Sequence, residues 1–121
     1  MNTLAIDYGT KTIGLAHYNG SIALPLGNID NDGDMWFNIM GIVAQHNIAT
    51  IIVGFPKNTD MQTIINKFIN TLQYMFEWTI TKIDENYTSV QAQAITESTG
   101  KHIANDTLAA MELINRYLAQ Q

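Results

Sequence analysis

The sequence predicts an α/β domain built on a mixed, partly parallel sheet of five strands flanked by about four helices. Two observations predict it. Short apolar runs alternate with longer segments of helical apolar spacing over the later part of the chain, the pattern of strands joined by helical crossovers. Ahead of them, two strand-like runs meet at Asn19-Gly20, which adds antiparallel strands to one side of the sheet.

Thr3 to Ile6 is a short apolar strand. Thr12 to Tyr18 and Ser21 to Ile29 form a hairpin, and Asn19-Gly20 suits the positive φ angles of a type I′ turn. Asp30-Asn31-Asp32-Gly33 is a polar loop. Asp34 is placed to cap a helix that carries Phe37, Met40, Val43 and Ala44 at helical spacing. The continuous apolar run Ile51-Ile52-Val53-Gly54-Phe55 suits a strand covered on both faces, and Pro56 stops it. From Asp60, Ile64, Ile65, Phe68, Ile69, Leu72 and Phe76 mark a second amphipathic helix, followed by a strand over Trp78 to Ile83. Thr88 with Gln91 forms a capping-box pattern that opens a third helix ended by Gly100. A last helix near His102 to Ala119 places Ile103, Ala110, Ile114 and Leu118 on one side.

At 121 residues, with no linker, internal repeat or low-complexity stretch, the whole chain from 1 to 121 is expected to be one domain. A hydrophobic share of 46% against 14% charged residues fits a packed globule and neither disorder nor a coiled coil. No apolar run approaches the roughly 18 residues of a membrane span, and the N-terminus lacks a secretory pattern, so a cytoplasmic protein without a membrane partner is expected. The absence of cysteine excludes thiol redox chemistry and thiolate zinc sites. The net charge of -5 argues against a nonspecific nucleic-acid coat, because such binding draws on Lys and Arg neutralising phosphates. A nucleic-acid substrate then requires the six basic residues to gather at the site, or metal ions to supply positive charge there.

Acidic residues stand where such a sheet presents its functional edge. Asp7 ends the first strand, Asp84-Glu85 ends the last, and Asp106 lies in the opening turns of the final helix. Carboxylates gathered within a few ångströms repel one another, and divalent cations relieve that repulsion. Two Mg²⁺ or Mn²⁺ ions about 3.5–4 Å apart can activate a water and stabilise the leaving oxygen of a phosphodiester. Side chains alternate along a strand, so only one of Asp84 and Glu85 is expected in the cluster. Lys11, Lys57 and Lys101 fall in loops or turns near the same edge, whereas Lys67, Lys82 and Arg116 need not.

The segments LAIDYGTKTIGLA, IIVGFPKN, IDEN-YT-S-Q-A and ND-TLAAMELINRYL, in that order and spanning nearly the whole chain, resemble the four blocks of the YqgF/RuvX family. The resemblance implies an RNase H-like fold related to Holliday-junction resolvases. It also implies a metal-dependent nuclease on structured nucleic acid, with maturation of the 5′ end of small-subunit ribosomal RNA as the proposed role. The family's acids fall on Asp7, Glu85 and Asp106, which would be catalytic and hold Mg²⁺ or Mn²⁺. Lys11, Lys57, Asn58 and Lys101 would contact substrate phosphates. Small Ala109 and Ala110 would let the last helix approach the sheet so that Asp106 reaches Asp7.

Three features depart from the family pattern. Asn86 stands where the family usually has Arg, only Gly100-Lys101-His102 precedes the last helix in place of a longer basic segment, and the chain after Asn58 goes through Thr59 directly into its helix. Each trims positive charge or substrate-contacting loop. The resemblance makes precursor ribosomal RNA, alone or in ribosomal assembly intermediates, the expected partner ahead of a DNA junction, and the protein is expected to be a monomer. A four-way DNA junction resolvase, which cuts symmetrically with paired sites, and a ribosome- or RNA-binding module without strong activity are the alternatives.

Simpler assignments cover the rest. D-x-G-T also opens the phosphate turn of actin-like ATPases and sugar kinases, but those need two such lobes. In Asp30 to Asp34 the glycine comes fourth and Gly41 stands at the twelfth position, so the loop is a turn and helix cap rather than a calcium loop. His17, His46 and His102 lack zinc-site spacing, and no Ser sits in a nucleophile elbow. Asn58 can equally hold the turn after Pro56.

Overall fold

In a computed structural model, the described residues are 2–76, 79–84 and 105–120. They form five strands, β1 (Thr3–Tyr8), β2 (Thr12–Tyr18), β3 (Ala23–Asp30), β4 (Thr50–Phe55) and β5 (Thr79–Asp84), and three helices, α1 (Met35–Gln45), α2 (Thr59–Met75) and α3 (Asn105–Ala119). The helix expected between Thr88 and Gly100 lies outside the described residues. The sheet order is β3-β2-β1-β4-β5. β2 runs antiparallel to β1 and β3, while β4 runs parallel to β1 and β5.

Period-two alternation divides the core between the two faces of the sheet. Leu4, Ile6, Ile13, Leu15, Ile51 and Val53 point toward α1 and α2, where they meet Ile39, Val43, Ile65, Phe68 and Leu72. Ala5, Ala16, Ile52 and Ile83 point the other way, toward Ala110, Leu113 and Ile114 of α3. β4 is thus covered on both faces, as its unbroken apolar run requires. Ala5 and Ala16 beneath Ala109 and Ala110 are all buried, so short side chains on both partners bring α3 close to the sheet.

Three local expectations need correction. Tyr18 pairs with Ala23, so the hairpin loop has four residues, Asn19 to Ile22, rather than a two-residue type I′ turn. Only Gly20 has positive φ there; Asn19 instead accepts on Oδ1 from the amides of Ser21 and Ile22, at 2.9 and 3.0 Å, an Asx turn that organises the wider loop. α1 buries Met35, Ile39 and Val43, and of the expected stripe only Val43 is inside; Phe37, Met40 and Ala44 are exposed. Trp36 fixes this rotation by stacking on Phe68, which also meets Tyr8, at ring separations of 5.1 and 4.5 Å. Asp34 starts α1 without a side-chain cap; Asp32 accepts from the Asp34 amide in its place.

The outer strand β3 carries a bulge: Leu15 faces Gly27 and Ala16 faces Pro25, with Leu26 extra and Gly27 at φ +91°. Pro25 is tolerable because the strand is at the edge, where one side of the backbone needs no ladder donor. At the opposite end of the sheet from Asp7, buried His17 bonds Asn2 Oδ1 at 2.9 Å and lies 4.7 Å from the His46 ring. Burial pushes the His17 imidazole below its usual range, and the neighbouring His46 adds to the effect.

The unfolded chain takes up this proton near pH 6.5 and the folded chain only at lower pH, so His17 contributes stability in full above about pH 6.5 that declines as pH falls below it. We expect the thermal midpoint to drop between about pH 7.5 and about pH 5.5, and to drop less in a His17→Gln protein. Equal losses in both, followed by circular dichroism, would contradict this role for His17.

Candidate active site

The carboxyl ends of β1, β4 and β5 lie at one edge of the sheet, as parallel pairing demands, and the β1–β2 turn lies there too. Asp7 is the penultimate residue of β1 and shares the face of Ala5, the face that α3 covers. Its antiparallel partner is Gly14, whose own partner on β3 is Asn28. One row beyond the Ile6–Val53 pair, Gly54 flanks Asp7 on the other side and pairs in turn with Ile83. Asp7 therefore stands in its row between two residues without side chains.

Gly14 positions the second acid. A Cβ built on Gly14 would lie 2.0 Å from the Asp106 carbonyl oxygen and 2.8 Å from Asp106 Cβ, so the first turn of α3 rests directly on β2 backbone. Cross-strand Cβ positions are about 5 Å apart, which puts the β-carbons of Asp7 and Asp106 within about 8 Å of each other. Two hydrogen bonds fix the helix in place. The Thr12 hydroxyl donates to Asp106 Oδ2, and the Thr107 hydroxyl donates to Asn28 Oδ1 at 2.6 Å, with Thr107 itself buried. Thr12, Gly14 and Asn28 thus seat α3, and Asp106 with it, beside Asp7.

The turn that follows Asp7 is equally constrained. A Cβ on Gly9 would lie 2.4 Å from the Thr12 carbonyl oxygen, so only glycine fits without moving backbone. Asn31 braces the turn from the end of β3, its side chain donating to Gly9 O at 2.8 Å and its amide to Lys11 O at 2.9 Å. Sequence reasoning missed Thr12, Gly14, Asn28, Asn31 and Thr107. Thr12, Gly14 and Thr107 stand in the same quoted blocks as the acids, and no sequence signal marked Asn28 or Asn31.

Lys11, in that turn, and Lys57, in the β4–α2 loop, are exposed at the same edge. Asn58 also stands there and caps α2, accepting from the Met61 amide on Oδ1 at 3.1 Å. Lys82 lies on the sheet face opposite to Asp7 but reaches the carboxyl end of β4, its ammonium 4.6 Å from the Phe55 ring, and Arg116 sits 3.8 Å from Glu112 in the later turns of α3. Asp84 is exposed on the face of Ile80, which packs toward α1 and α2, and so points away from Asp7 and Asp106. Glu85 and Lys101 lie outside the described residues. Among the described residues, no group of three acids or histidines is gathered for a metal; the described share of the site is two carboxylates and a hydroxyl. These hard oxygen donors, with neither thiolate nor imidazole, fit Mg²⁺ or Mn²⁺.

The sheet and its helices have an RNase H-like fold. Thermus thermophilus RuvC superposes with a TM-score of 0.66 at 11% identity over 99% of this chain and 96% of that one. The fowlpox virus resolvase, solved with Holliday junction DNA, gives 0.61 at 15% identity with the same coverage. The family model described as "RuvX: Holliday junction resolvase" matches residues 1–120, and the chain belongs to that family. A relative from Chlorobium chlorochromatii is 32% identical over 98% of this chain and 94% of its own length, and one from Paraburkholderia xenovorans is 34% identical over 95% and 86%. Both are named "Putative pre-16S rRNA nuclease".

Replacing Gly14 with Ala should shift α3 off the sheet and destabilise the fold by several kcal/mol, roughly the cost of overpacking plus a displaced helix. Thr12→Val keeps the shape and removes one charge-assisted hydrogen bond, for about 1–2 kcal/mol. Urea denaturation would measure both; a Gly14→Ala protein as stable as the parent would refute the close approach.

Proposed function

We propose that this chain is a metal-dependent endonuclease that hydrolyses phosphodiesters in structured nucleic acid, with the 5′ end of precursor small-subunit ribosomal RNA as its substrate. The observation that carries this is the meeting of Asp7 and Asp106, from β1 and from α3, on either side of Gly14 at the functional edge of the sheet. Nothing in the packing of the core calls for two acids there. Their mutual repulsion is relieved by a divalent cation, which fits their oxygen donors.

Asp7, Asp106 and Glu85 would hold Mg²⁺ or Mn²⁺. Asp84 lies on the face of Ile80, opposite to Ile83 and Asp7, so Glu85 is the acid of that pair proposed for the site. When bound, the metal would supply an activated water and neutralise charge on the leaving oxygen. The chain's own part is positional: Thr12 orients the Asp106 carboxylate, and Gly14 lets the first turn of α3 rest on β2 beside Asp7. Lys11 and Lys57, with Lys101, would take substrate phosphates, and Asn58 would add a polar contact beside them. Few lysines give weak intrinsic affinity, which fits a substrate presented within a ribosomal assembly intermediate. The names of the curated relatives support RNA. The family description supports a DNA four-way junction as the second candidate.

With Mn²⁺ and precursor RNA, Asp7→Asn and Asp106→Asn should each lower the cleavage rate at least about 100-fold, the scale of removing one preorganised electrostatic group. Chelation should abolish cleavage. Undiminished cleavage by the Asp7→Asn protein would overturn the assignment, and faster cutting of a four-way DNA junction than of RNA would transfer it to the second substrate. Calorimetric titration with Mn²⁺ should give heat that Asp7→Asn loses; its absence from the parent protein would point to a binding module.

A further inference from the structure

α1 is eleven residues without a single charge, and its outer stripe takes no part in the core formed by the described residues. Phe37 is 78% exposed and Met40 48%, followed on the same stripe by Gly41 and Ala44. The neighbouring Trp36 already supplies the aromatic that locks α1 to α2. Beside the C-terminal half of the stripe lies an open groove of about 480 Å³, lined by Met40, Val43, Ala44, Asn47, Ile48 and Phe76. The helix thus offers a projecting ring at one end and an apolar hollow at the other, about 10 Å apart along its axis.

We propose that this stripe is a self-association surface, on which two copies of the chain pack α1 against α1 antiparallel about a two-fold axis between Met40 and Gly41. That axis sets Phe37 of each copy over Ala44 of the other, where the groove receives the ring, and sets Met40 over Gly41. Each pair joins a large residue to a small one, so the surface is complementary to itself, the condition for an isologous dimer. Charge points the same way. Copies of a chain carrying -5 repel, and α1 is a face on which they meet without like charges in contact. The axis also brings Asp34, at the start of one α1, near His46, at the end of the other, while His46 keeps its own His17 neighbour. One helix stripe and one groove cover less than the roughly 800 Å² per partner of a standard interface, so the dimer is weak and reversible. It lies on the opposite side of the sheet from α3 and is independent of the nuclease assignment.

The chain contains no cysteine, so a single introduced one reports proximity without background. Under mild oxidation, the Met40→Cys protein should form covalent dimer at least about ten times faster than Thr63→Cys, an exposed position on α2, because association raises the effective concentration at the axis. Adding Phe37→Asp to Met40→Cys should remove the advantage and leave the thermal midpoint unchanged. In sedimentation, the weight-average mass of the unmodified chain should rise with concentration, and that of Phe37→Asp should not. Equal cross-linking at Met40→Cys and Thr63→Cys, or a mass fixed at the monomer value up to millimolar concentration, would overturn the proposal.

Discussion

The bare Cα of Gly14 is the constraint on which the rest of this structure depends. Any side chain there would occupy the space taken by the first turn of α3, at 2.0 Å from a carbonyl oxygen. Because the position is empty, the helix lies on the sheet, buries Ala110 and Leu113 against Ala5 and Ile52, and delivers Asp106 to the row that holds Asp7. Close packing and the assembly of the acidic pair are therefore one event. The hydrogen bonds of Thr12 and Thr107 register the helix on that contact but could not substitute for it.

The two faces of the sheet divide the work. The face of α1 and α2 carries long branched and aromatic side chains and supplies most of the buried apolar surface, which is the dominant favourable term in folding. The face of α3 buries Ile52, Ile83, Leu113 and Ile114 beside Ala5, Ala16 and Ala110, and the alanines together with Gly14 permit a short helix-to-sheet distance. The larger apolar layer lies on one side, and the layer on the other, brought close by its small residues, holds acidic groups in place.

Much of this architecture was legible from residue patterns. The run Ile51 to Phe55 reads as a strand buried on both faces because no polar residue interrupts it, and Thr12 to Tyr18 is bounded as expected, whereas β1 runs two residues past the expected Ile6 to Tyr8. The rotation of α1 is not legible in its residue pattern, for a physical reason. A helix without charges has no polar side to orient it, both the Met35-Ile39-Val43 stripe and the Phe37-Met40-Ala44 stripe are apolar, and the choice falls to a tertiary contact, Trp36 on Phe68. The hairpin turn departs from the Asn-Gly pattern because Asn19 satisfies amides with its side chain rather than by adopting positive φ. Asp7 and Asp106 were legible from their places at a strand end and a helix start, and from the family blocks. The residues that bring them together were not, since Thr12 and Asn28 find their partners 94 and 79 positions away, beyond any local pattern.

Those separations also bear on the order of assembly. Every strand of the sheet precedes α3 in the chain, so the sheet and the α1–α2 layer can condense while Ala5, Ala16 and Ile52 remain uncovered. Closing so long a loop carries an entropic cost that grows only slowly with its length, yet it delays contacts of high sequence separation relative to local ones. During synthesis the emerging chain therefore passes through an interval in which one layer is folded, the other is bare, and Asp7 has not yet met Asp106.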